Sequence, residues 1–426
     1  MNILILGGGG REHALAWKLK QSPKIQKLYV AQGNAGTGTL AENISLDLAD
    51  HQAIISFAKT YNIDLVVVGP DDLLAQGVVD SLQTANILVF GPTRAAAEIE
   101  WSKAFAKQFM QEEGIPTARF AVFSDLDEAK EYLQKEKFPI VIKASGLAFG
   151  KGVVIANTAE EGLSALDDMM GKGVFGDAGK EVVIEEYLEG PEISIHAFCD
   201  GETAALFPSA QDHKRAYDDD KGPNTGGMGT IAPVPWVSAE LMENIKNTIV
   251  LPTLRGLEKR GRKFIGVLFP GIIMTKDGPK VLEFNARFGD PETQSYMRLL
   301  ESNLMDILLA CINGTLKEMK IKWEQAAACC VVLASGGYPG KYEIGMPIRG
   351  LVGVEEDETV VFHAGTKMKN GVVVTNGGRV LGITAAAPTL EGALAKAYGR
   401  VEGITFDKMH VRRDIGRNAL QDMGNI

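Results

Sequence analysis

The sequence has few cysteines, no long apolar run and no excess of positive charge. The cysteines show neither a Cys-x-x-Cys pair nor a zinc-ligand spacing, so we expect reduced packing residues at Cys199, Cys311, Cys329 and Cys330. Residues 2–6 are apolar but run directly into glycines, too short for a secretory core or for the about 20 residues of a membrane span. With 44 basic and 54 acidic residues, the net charge of −10 provides no field that attracts nucleic acid or anionic membranes. We therefore expect a soluble, cytoplasmic protein that binds neither.

The length of 426 residues favours several domains, because single cores rarely grow beyond roughly 250–300 residues. Short apolar runs at 2–6, 65–68 and 87–90 alternate with helical periodicity at 12–19 and 52–59. This alternation predicts βαβ units around a parallel sheet, and we assign residues 1–102 to one Rossmann-like α/β domain. Gly-Pro pairs after two of the runs place loops at the carboxyl edge of the sheet, where such sheets bind ligands.

The rest of the chain predicts two further α/β domains, 103–325 and 326–426. A helix at 103–114 precedes strands at 139–144, 152–156, 181–188 and 193–198. Two apolar runs within 264–285 flank an Asp-Gly pair, which predicts a tight hairpin. The small mixed C-terminal domain has predicted strands at 328–334, 372–374 and 380–384, the last two joined by 376–378.

Two glycine-rich segments are candidate phosphate sites. Gly8, Gly9 and Gly10 lie between a predicted strand and helix, where bare backbone can approach a phosphate or simply make a tight turn. Glu12 replaces the third glycine of a dinucleotide fingerprint, which argues against a nicotinamide-dependent oxidoreductase. Residues 143–152 lie between two strands and are not a Walker A loop. The candidate phosphate-binding residues of this loop are Lys143, Gly146, Gly150, Lys151 and Gly152. The alternative is a flexible turn with solvated lysines.

Residues 281–292 carry the best candidate metal site. Strand alternation sends Glu283 and Asn285 to one face, and Mg²⁺ can take one carboxylate and one amide oxygen while keeping water and nucleotide phosphates. Arg287 follows on that side and suits a developing negative charge. An exposed charged turn explains the pattern less well, although Asp290 is as easily a turn former before Pro291 as a ligand.

Two charged segments have an ordinary alternative as solvated surface. Residues 185–188 with Glu192 resemble a link between two lobes whose backbone could pair with adenine and whose carboxylate could bind ribose. Residues 211–229 suit a mobile loop that grips a small zwitterion, with Asp212 on an amine and Lys214 on a carboxylate or phosphate. His213 could equally be an ordinary surface histidine.

Together these segments resemble the glycinamide ribonucleotide synthetase family of the ATP-grasp superfamily. The resemblance runs nearly end to end and rests on GGGGREHALAWK, GNAGT, SKAFAK, QDHKRAYDDDKGPNTGGMG, EFNARFGDPETQ, FHAGT and TNGGRV, in family order. It implies an N-terminal Rossmann-like domain, an ATP-grasp fold of two α+β lobes and a small C-terminal domain, and it predicts the nucleotide-binding lobe of the ATP-grasp fold at about 121–190. It also implies that ATP phosphorylates glycine and that 5-phosphoribosylamine then displaces phosphate, with Mg²⁺ or Mn²⁺ as the metal and the protein a monomer.

The resemblance also implies roles for individual residues. Cofactor binding falls to Lys103, Lys143, Ser145, Gly146, Gly150, Lys151, Gly152, Glu185, Glu186, Tyr187, Leu188 and Glu192. Substrate binding falls to Gly8, Gly9, Gly10, Asp212, Lys214, Thr225, Gly226, Gly227, Met228, Gly229, Arg287, Gly289, Asp290 and Pro291. Arg287, Asp212 and Lys214 are the catalytic candidates, and Glu283 and Asn285 the metal ligands.

Three positions depart from the family pattern, and two other functions remain open. Ser145 stands where members commonly carry Asp, Phe149 where they carry a small residue, and Trp101 where glycine is common. Another ATP-grasp ligase or carboxylase with a different acid would keep Glu283, Asn285 and Lys143 but change the 211–229 segment. A non-catalytic nucleotide-binding module is the remaining alternative.

Overall fold

The N-terminal strands are short apolar runs whose side chains are buried on both faces, as expected when helices cover a parallel sheet on both sides. The structure is a computed structural model that describes residues 1–146, 152–174, 176–351 and 359–422. The N-terminal elements are β1 Asn2–Gly7, α1 Gly10–Lys20, β2 Lys27–Gln32, α2 Thr37–Leu40, β3 Glu42–Ile44, α3 His51–Thr60, β4 Leu65–Val68, α4 Asp71–Gln76, α5 Val78–Thr84 and β5 Val89–Phe90. The sheet has the order β3-β2-β1-β4-β5 and is parallel throughout, which confirms the prediction.

A small antiparallel lobe follows a pair of helices. The elements are α6 Arg94–Trp101, α7 Lys103–Glu112, β6 Phe120–Phe123, α8 Leu126–Leu133, β7 Ile140–Ala144, β8 Val153–Ala156, α9 Ala159–Leu166 and β9 Val182–Glu186. The sheet order is β6-β9-β7-β8, and β7 and β8 form the predicted hairpin around the glycine-rich loop. The lobe has a hydrophobic core of its own, centred on Leu133, Ile142 and Ile184.

The second lobe is built around a long hairpin. Its elements are β10 Glu192–Ser194, β11 Ala197–Asp200, β12 Ala204–Leu206, β13 Gln211–Asp212, β14 Arg215–Tyr217, β15 Lys221–Asn224, β16 Gly229–Ala232, α10 Ala239–Ile245, α11 Leu251–Lys259, β17 Ile265–Thr275, β18 Gly278–Asn285, α12 Glu292–Leu299 and α13 Leu304–Asn313. β17 and β18 pair down to Thr275 and Gly278, so the predicted Asp-Gly hairpin is confirmed. The central sheet has the order β10-β17-β11-β12, with β18 on β17.

The C-terminal part has a mixed architecture, with one helix on an antiparallel sheet. Its elements are β19 Ala327–Ser335, β20 Thr359–His363, β21 Thr366–Lys369, β22 Val372–Thr375, β23 Arg379–Ala387, α14 Leu390–Val401, β24 Met409–Val411 and α15 Arg417–Asp422. The sheet order is β13-β16-β19-β23-β20, with β24 on β19. Two strands of the 211–229 region thus belong to the C-terminal sheet, and the domain boundaries stay predictions.

Three local predictions differ from the structure. The single strand predicted at 193–198 is two strands, β10 and β11, which pair with β17 on either side of Pro270, a residue that has no N–H to donate. Residues 211–229, predicted as one loop, contain the paired strands β13, β14 and β15 and the start of β16, joined by short turns. The predicted strands at 372–374 and 380–384 correspond to β22 and β23, which lie in different sheets. β22 pairs instead with β21, across a turn in which Asn370 and Gly371 have φ of 50° and 78°.

In the described ranges, no helix combines the length and the apolar character needed to cross a bilayer.

Candidate active site

Lys143 reaches from the small lobe into the second lobe. It stands near the end of β7, where its Nζ donates to the Leu282 carbonyl at 3.1 Å and forms an ion pair with Glu185 on the adjacent β9. The other Glu185 oxygen lies 2.5 Å from Lys107 Nζ, and all three side chains are buried. Burial opposes ionisation of Glu185, but the two lysines outweigh it and lower the pKa of the carboxyl group. Glu185 therefore fixes the two ammonium groups close to β18 of the second lobe.

The described part of the glycine-rich loop is tied to the start of α7. Ser145 Oγ accepts a hydrogen bond from the Ala104 N–H at 3.0 Å, and Lys103 Nζ lies 3.4 Å from the Gly146 carbonyl. Gly152 closes the loop, since its carbonyl accepts from the Ala144 N–H at 2.8 Å. The predicted phosphate-binding residues Gly150 and Lys151 lie outside the described residues, as does Phe149.

The predicted metal and phosphoryl residues form one group at the end of β18. Asn285 Oδ1 accepts from Arg287 Nη2 at 3.0 Å. Arg287 Nε lies 3.2 Å from a Glu100 oxygen, and the other Glu100 oxygen accepts from the Ala286 N–H at 2.8 Å. Burial raises the pKa of Glu100 to about 7 although Arg287 opposes the shift. Glu100 therefore orients Arg287 and fixes the backbone beside it.

Glu283 is a carboxylate without a direct partner in the described part of the chain, where it forms no ion pair within 4.0 Å. Burial would raise its pKa, but Lys214, Lys103, Lys143 and Arg287 lie close enough to lower it. An ionised carboxylate next to an amide oxygen is a donor set that fits Mg²⁺. No group of three or more His, Cys, Asp or Glu side chains able to hold a metal occurs among the described residues. A cation at Glu283 would therefore need nucleotide phosphates and water to complete its coordination.

The predicted glycine-binding residues meet around Gly227. Its φ is +112°, and a Cβ there would lie 2.6 Å from Asp212 Oδ1 and 2.5 Å from Pro291 Cδ. Only glycine fits this close approach. Asp212 is half-buried, and its enclosed Oδ1 has no hydrogen-bond partner in the described structure. Desolvation together with Glu292 raises the pKa of this carboxyl group. Lys214, two residues on, pairs with Glu192 at 2.6 Å.

The 225–229 segment is held by its own backbone contacts. The Thr225 N–H and Oγ1 both donate to the Lys214 carbonyl at 2.8 Å, and Met228 N–H donates to the His213 carbonyl at 2.9 Å. Gly229 begins β16. This pattern keeps the segment next to Asp212.

The segment after β9 and two cavities are the remaining parts of the predicted site. Beyond β9, residues 187–191 link the lobes, as predicted, and Glu186 accepts from the Arg119 N–H at 2.9 Å. A cavity of about 810 Å³ opens between Tyr187, Ile155 on β8 and Arg215 on β14. Leu188, the residue after Tyr187, is half-buried.

The second cavity, of about 500 Å³, lies at the carboxyl edge of the N-terminal sheet and is lined by Gly8 and Gly9. Gly10 starts α1, so this helix N-terminus faces the region as predicted. However, the Gly9 N–H already donates to Glu12 at 2.6 Å, and the Arg11 N–H to Asp290 Oδ2 at 3.1 Å. A phosphate would have to bind beside these two carboxylates.

Sequence reasoning missed several residues that the fold brings into the site. Lys107 lies one helical turn after Lys103, and this spacing could have identified it. Glu292, next to Gly289, lies in the quoted EFNARFGDPETQ segment but was given no role. Arg379 lies in the quoted TNGGRV segment but was likewise given no role, although it contacts Asp290. Glu100 contacts Arg287 from a distant part of the chain, which no local pattern reveals.

His213 is buried, so the surface alternative is wrong for this residue. Its Nε2 accepts from the Gly416 N–H at 3.0 Å, so the proton is on Nδ1 and is donated to the Gly229 carbonyl at 3.1 Å. Burial lowers the pKa of His213 to about 4, and the nearby positive charge of Arg412 adds to this effect. The carboxylates of Asp220 and Asp414 shift the pKa in the opposite direction but do not outweigh it.

The depressed pKa of His213 predicts a pH-dependent stability. Between its ordinary 6.5 and about 4 the unfolded chain binds the proton and the folded one does not. The stabilisation is complete above pH 6.5 and is lost as the pH falls to about 4, which corresponds to about 3 kcal/mol. We expect His213→Gln to remove this part of the pH dependence, measured by urea unfolding across that range. An unchanged slope would contradict the neutral, buried assignment.

Comparison with known proteins places this geometry in context. Three models of phosphoribosylglycinamide synthetase match in order: the N domain at residues 1–100, the ATP-grasp (A) domain at 101–293 and the C domain at 328–418. A phosphoribosylamine–glycine ligase of Halalkalibacterium halodurans is 49% identical over 99% of this chain and 98% of its own. That of Mesorhizobium japonicum is 48% identical over 99% of both chains.

Solved structures show the same architecture. The crystal structure of phosphoribosylamine–glycine ligase from Thermotoga maritima matches with a TM-score of 0.83 and 35% identity, covering 97% of this chain and 100% of that one. The biotin carboxylase domain of a Hydrogenobacter thermophilus 2-oxoglutarate carboxylase matches with a TM-score of 0.75 and 15% identity, over 96% of this chain and 91% of that domain. This second likeness concerns the fold alone.

Proposed function

Since the chain belongs to the phosphoribosylglycinamide synthetase family, we propose that its cleft joins glycine to 5-phosphoribosylamine through glycyl phosphate. The protein is a carbon–nitrogen ligase that uses ATP and serves purine synthesis. A glycine carboxylate oxygen attacks the γ-phosphorus of ATP and ADP leaves. The amine of phosphoribosylamine then attacks the acyl carbon, phosphate leaves, and the nitrogen loses a proton to give glycinamide ribonucleotide.

The observation that carries this proposal is the Glu283 carboxylate, which forms no ion pair within 4.0 Å among the described residues although Lys214, Lys103 and Lys143 lower its pKa. Lys143 also donates to the carbonyl of the neighbouring Leu282. Lys103 and Lys143, with the Ser145 loop, lie where nucleotide phosphates would be neutralised. Tyr187 and Leu188, with Glu186, are the proposed adenosine-binding hinge. Because Glu185 is already paired with two lysines, its proposed part in nucleotide binding is to hold them.

Glu283 and Asn285 would hold the divalent cation, and we propose Mg²⁺ because both donors are hard oxygens. The cation would neutralise charge on the ATP phosphates during transfer. Arg287, oriented by Glu100, would stabilise the charge of the transferring phosphoryl group. Each of these roles is a separate test of the site.

The glycine end is proposed at Asp212 and Lys214, next to Gly227 and Gly289. The unsatisfied Asp212 oxygen can accept a hydrogen bond from an ammonium group, whose positive charge would favour the ionised carboxylate. The absence of a side chain at Gly227 lets its backbone pack closely against Asp212 and Pro291, which fixes the position of the Asp212 carboxylate. The ribose phosphate is proposed to bind at Gly8 to Gly10.

Trapping of the acyl phosphate tests this function directly. We expect hydroxylamine to capture glycine hydroxamate only when ATP, glycine and Mg²⁺ are all present, and phosphoribosylamine to suppress the trapping by competing for the same intermediate. The hydroxamate is measured as its coloured iron complex. Two results would favour a different ATP-grasp reaction. One is hydroxamate formed from another acid in preference to glycine, and the other is ADP release that depends on bicarbonate.

We further propose that the protein acts as a monomer in the cytoplasm. All four cysteines are buried free thiols, which is compatible with a reducing compartment. Light scattering after size-exclusion chromatography would test the monomer, whose mass is 45.8 kDa.

A further inference from the structure

Arg379, the first residue of β23, lies where the two substrate-binding segments meet. Its Nη1 donates to the carbonyl oxygens of Gly226 and Asp290, the latter at 2.6 Å. Its Nη2 lies 3.5 Å from the Asp290 carboxylate. One guanidinium group from the C-terminal part therefore joins the 225–229 segment to the turn that precedes α12.

The Gly226 peptide is held on both sides by the C-terminal part. Its N–H donates to the Tyr338 hydroxyl at 3.0 Å, and its carbonyl accepts from Arg379. A Cβ on Gly226 would lie 3.1 Å from the Arg379 Cζ, so the guanidinium packs directly against this backbone. Gly378 allows the close approach of Tyr338, because a Cβ there would lie 2.2 Å from the phenol ring.

Asp290 extends the connection from Arg379 to the second cavity. Its Oδ2 accepts from the Arg11 N–H at 3.1 Å in the first turn of α1, and its Oδ1 accepts from Gln294 at 2.9 Å. Arg379 and Asp290 themselves line the cavity of about 500 Å³ together with Gly8. Arg379 thus borders the space proposed for phosphoribosylamine and also contacts the segment proposed for glycine.

Resting on the function proposed above, we infer that Arg379 is a positioning residue for the second half of the reaction. It fixes the 225–229 segment and the Asp290 turn at one separation, and this separation sets the approach of the phosphoribosylamine amine to glycyl phosphate. The first half of the reaction takes place around Glu283 and Lys143, with which Arg379 forms no hydrogen bond or ion pair among the described residues. Its loss should slow amine transfer far more than glycyl phosphate formation.

The test compares Arg379→Met and Arg379→Lys in the full chain, in two assays. We expect Arg379→Met to lower kcat/KM for phosphoribosylamine by about tenfold to 100-fold, because charge-assisted hydrogen bonds to two carbonyls are lost. Because Arg379 also holds the segment proposed for glycine, hydroxamate formation is measured at saturating ATP and glycine, where kcat should change by less than about threefold. Arg379→Lys keeps the charge but not the planar fork, so it should restore transfer only in part.

The controls separate a positioning role from a structural one. Arg413→Met removes a surface ion pair with Glu402 in the same part of the chain and should leave both assays unchanged. Tyr338→Phe removes the other contact to Gly226 and should slow transfer in the same direction. Equal losses in both assays, or no gain from Arg379→Lys over Arg379→Met, would overturn the inference. Failure of the unmodified protein to form any hydroxamate would instead reject the proposed function.

Discussion

Glu283→Gln is expected to abolish nearly all ADP formation, because it removes the charge of the carboxylate that several cations surround without pairing with it. The substitution keeps the size of the side chain, but an amide is a weaker ligand for a hard divalent cation. It also removes the negative charge of Glu283 that faces Lys214, Lys103 and Lys143. Stabilisation of the transferring phosphoryl group by a metal amounts to several kcal/mol, so kcat should fall about 10³-fold.

The measurement is ADP release at saturating ATP and glycine, repeated over a range of Mg²⁺ concentrations. We expect the Glu283→Gln protein to need much more Mg²⁺ for half of its remaining rate, whereas Glu243→Gln, at an exposed position on α10, should behave like the unmodified chain. Circular dichroism and thermal unfolding check that both variants are folded. A Glu283→Gln protein with ordinary Mg²⁺ dependence would show that the cation binds elsewhere.

Local sequence patterns were sufficient for much of the fold. The apolar runs at β1 and β4 have the predicted bounds to within one residue, because a strand buried on both faces must be apolar throughout. The Asp-Gly pair at 277–278 gave the β17–β18 hairpin, since such a turn needs a residue with positive φ. The same reasoning applied to Asn370-Gly371 would have found the β21–β22 hairpin, which was missed.

The candidate site was less accessible to sequence reasoning, because its chemistry depends on contacts between distant segments. Alternation along β18 placed Glu283 and Asn285 together, but it could not show that Arg287 would bind Asn285 and be oriented by Glu100. Nor could the acidic end of β9 reveal that Glu185 is buried between two lysines rather than exposed. From the sequence alone, charged residues such as Glu185 are expected to be exposed to solvent. Only the structure shows that Glu185 is buried.

The position of Arg287 leads to the second large expected effect. Its Nη2 donates to Asn285 Oδ1 at 3.0 Å and its Nη1 lies 3.4 Å from the Phe288 carbonyl, while Nε faces Glu100. This arrangement fixes the guanidinium plane beside the proposed cation site before any substrate binds. Preorganised cations of this kind stabilise charge that develops in the transition state rather than in the ground state.

We therefore expect Arg287→Met to lower kcat for hydroxamate formation by about 10²-fold to 10³-fold while changing KM for ATP by less than about threefold. Arg287→Lys should recover little, because a lysine cannot keep the contacts to Asn285 and Glu100 while presenting a planar face to a phosphoryl group. The matched control is Arg255→Met, an exposed arginine on α11 that should leave both constants unchanged. If Arg287→Met instead raised KM for ATP with kcat preserved, Arg287 would serve nucleotide binding rather than phosphoryl transfer. In that case Lys103 and Lys143, rather than Arg287, would be the residues that stabilise the negative charge of the transition state.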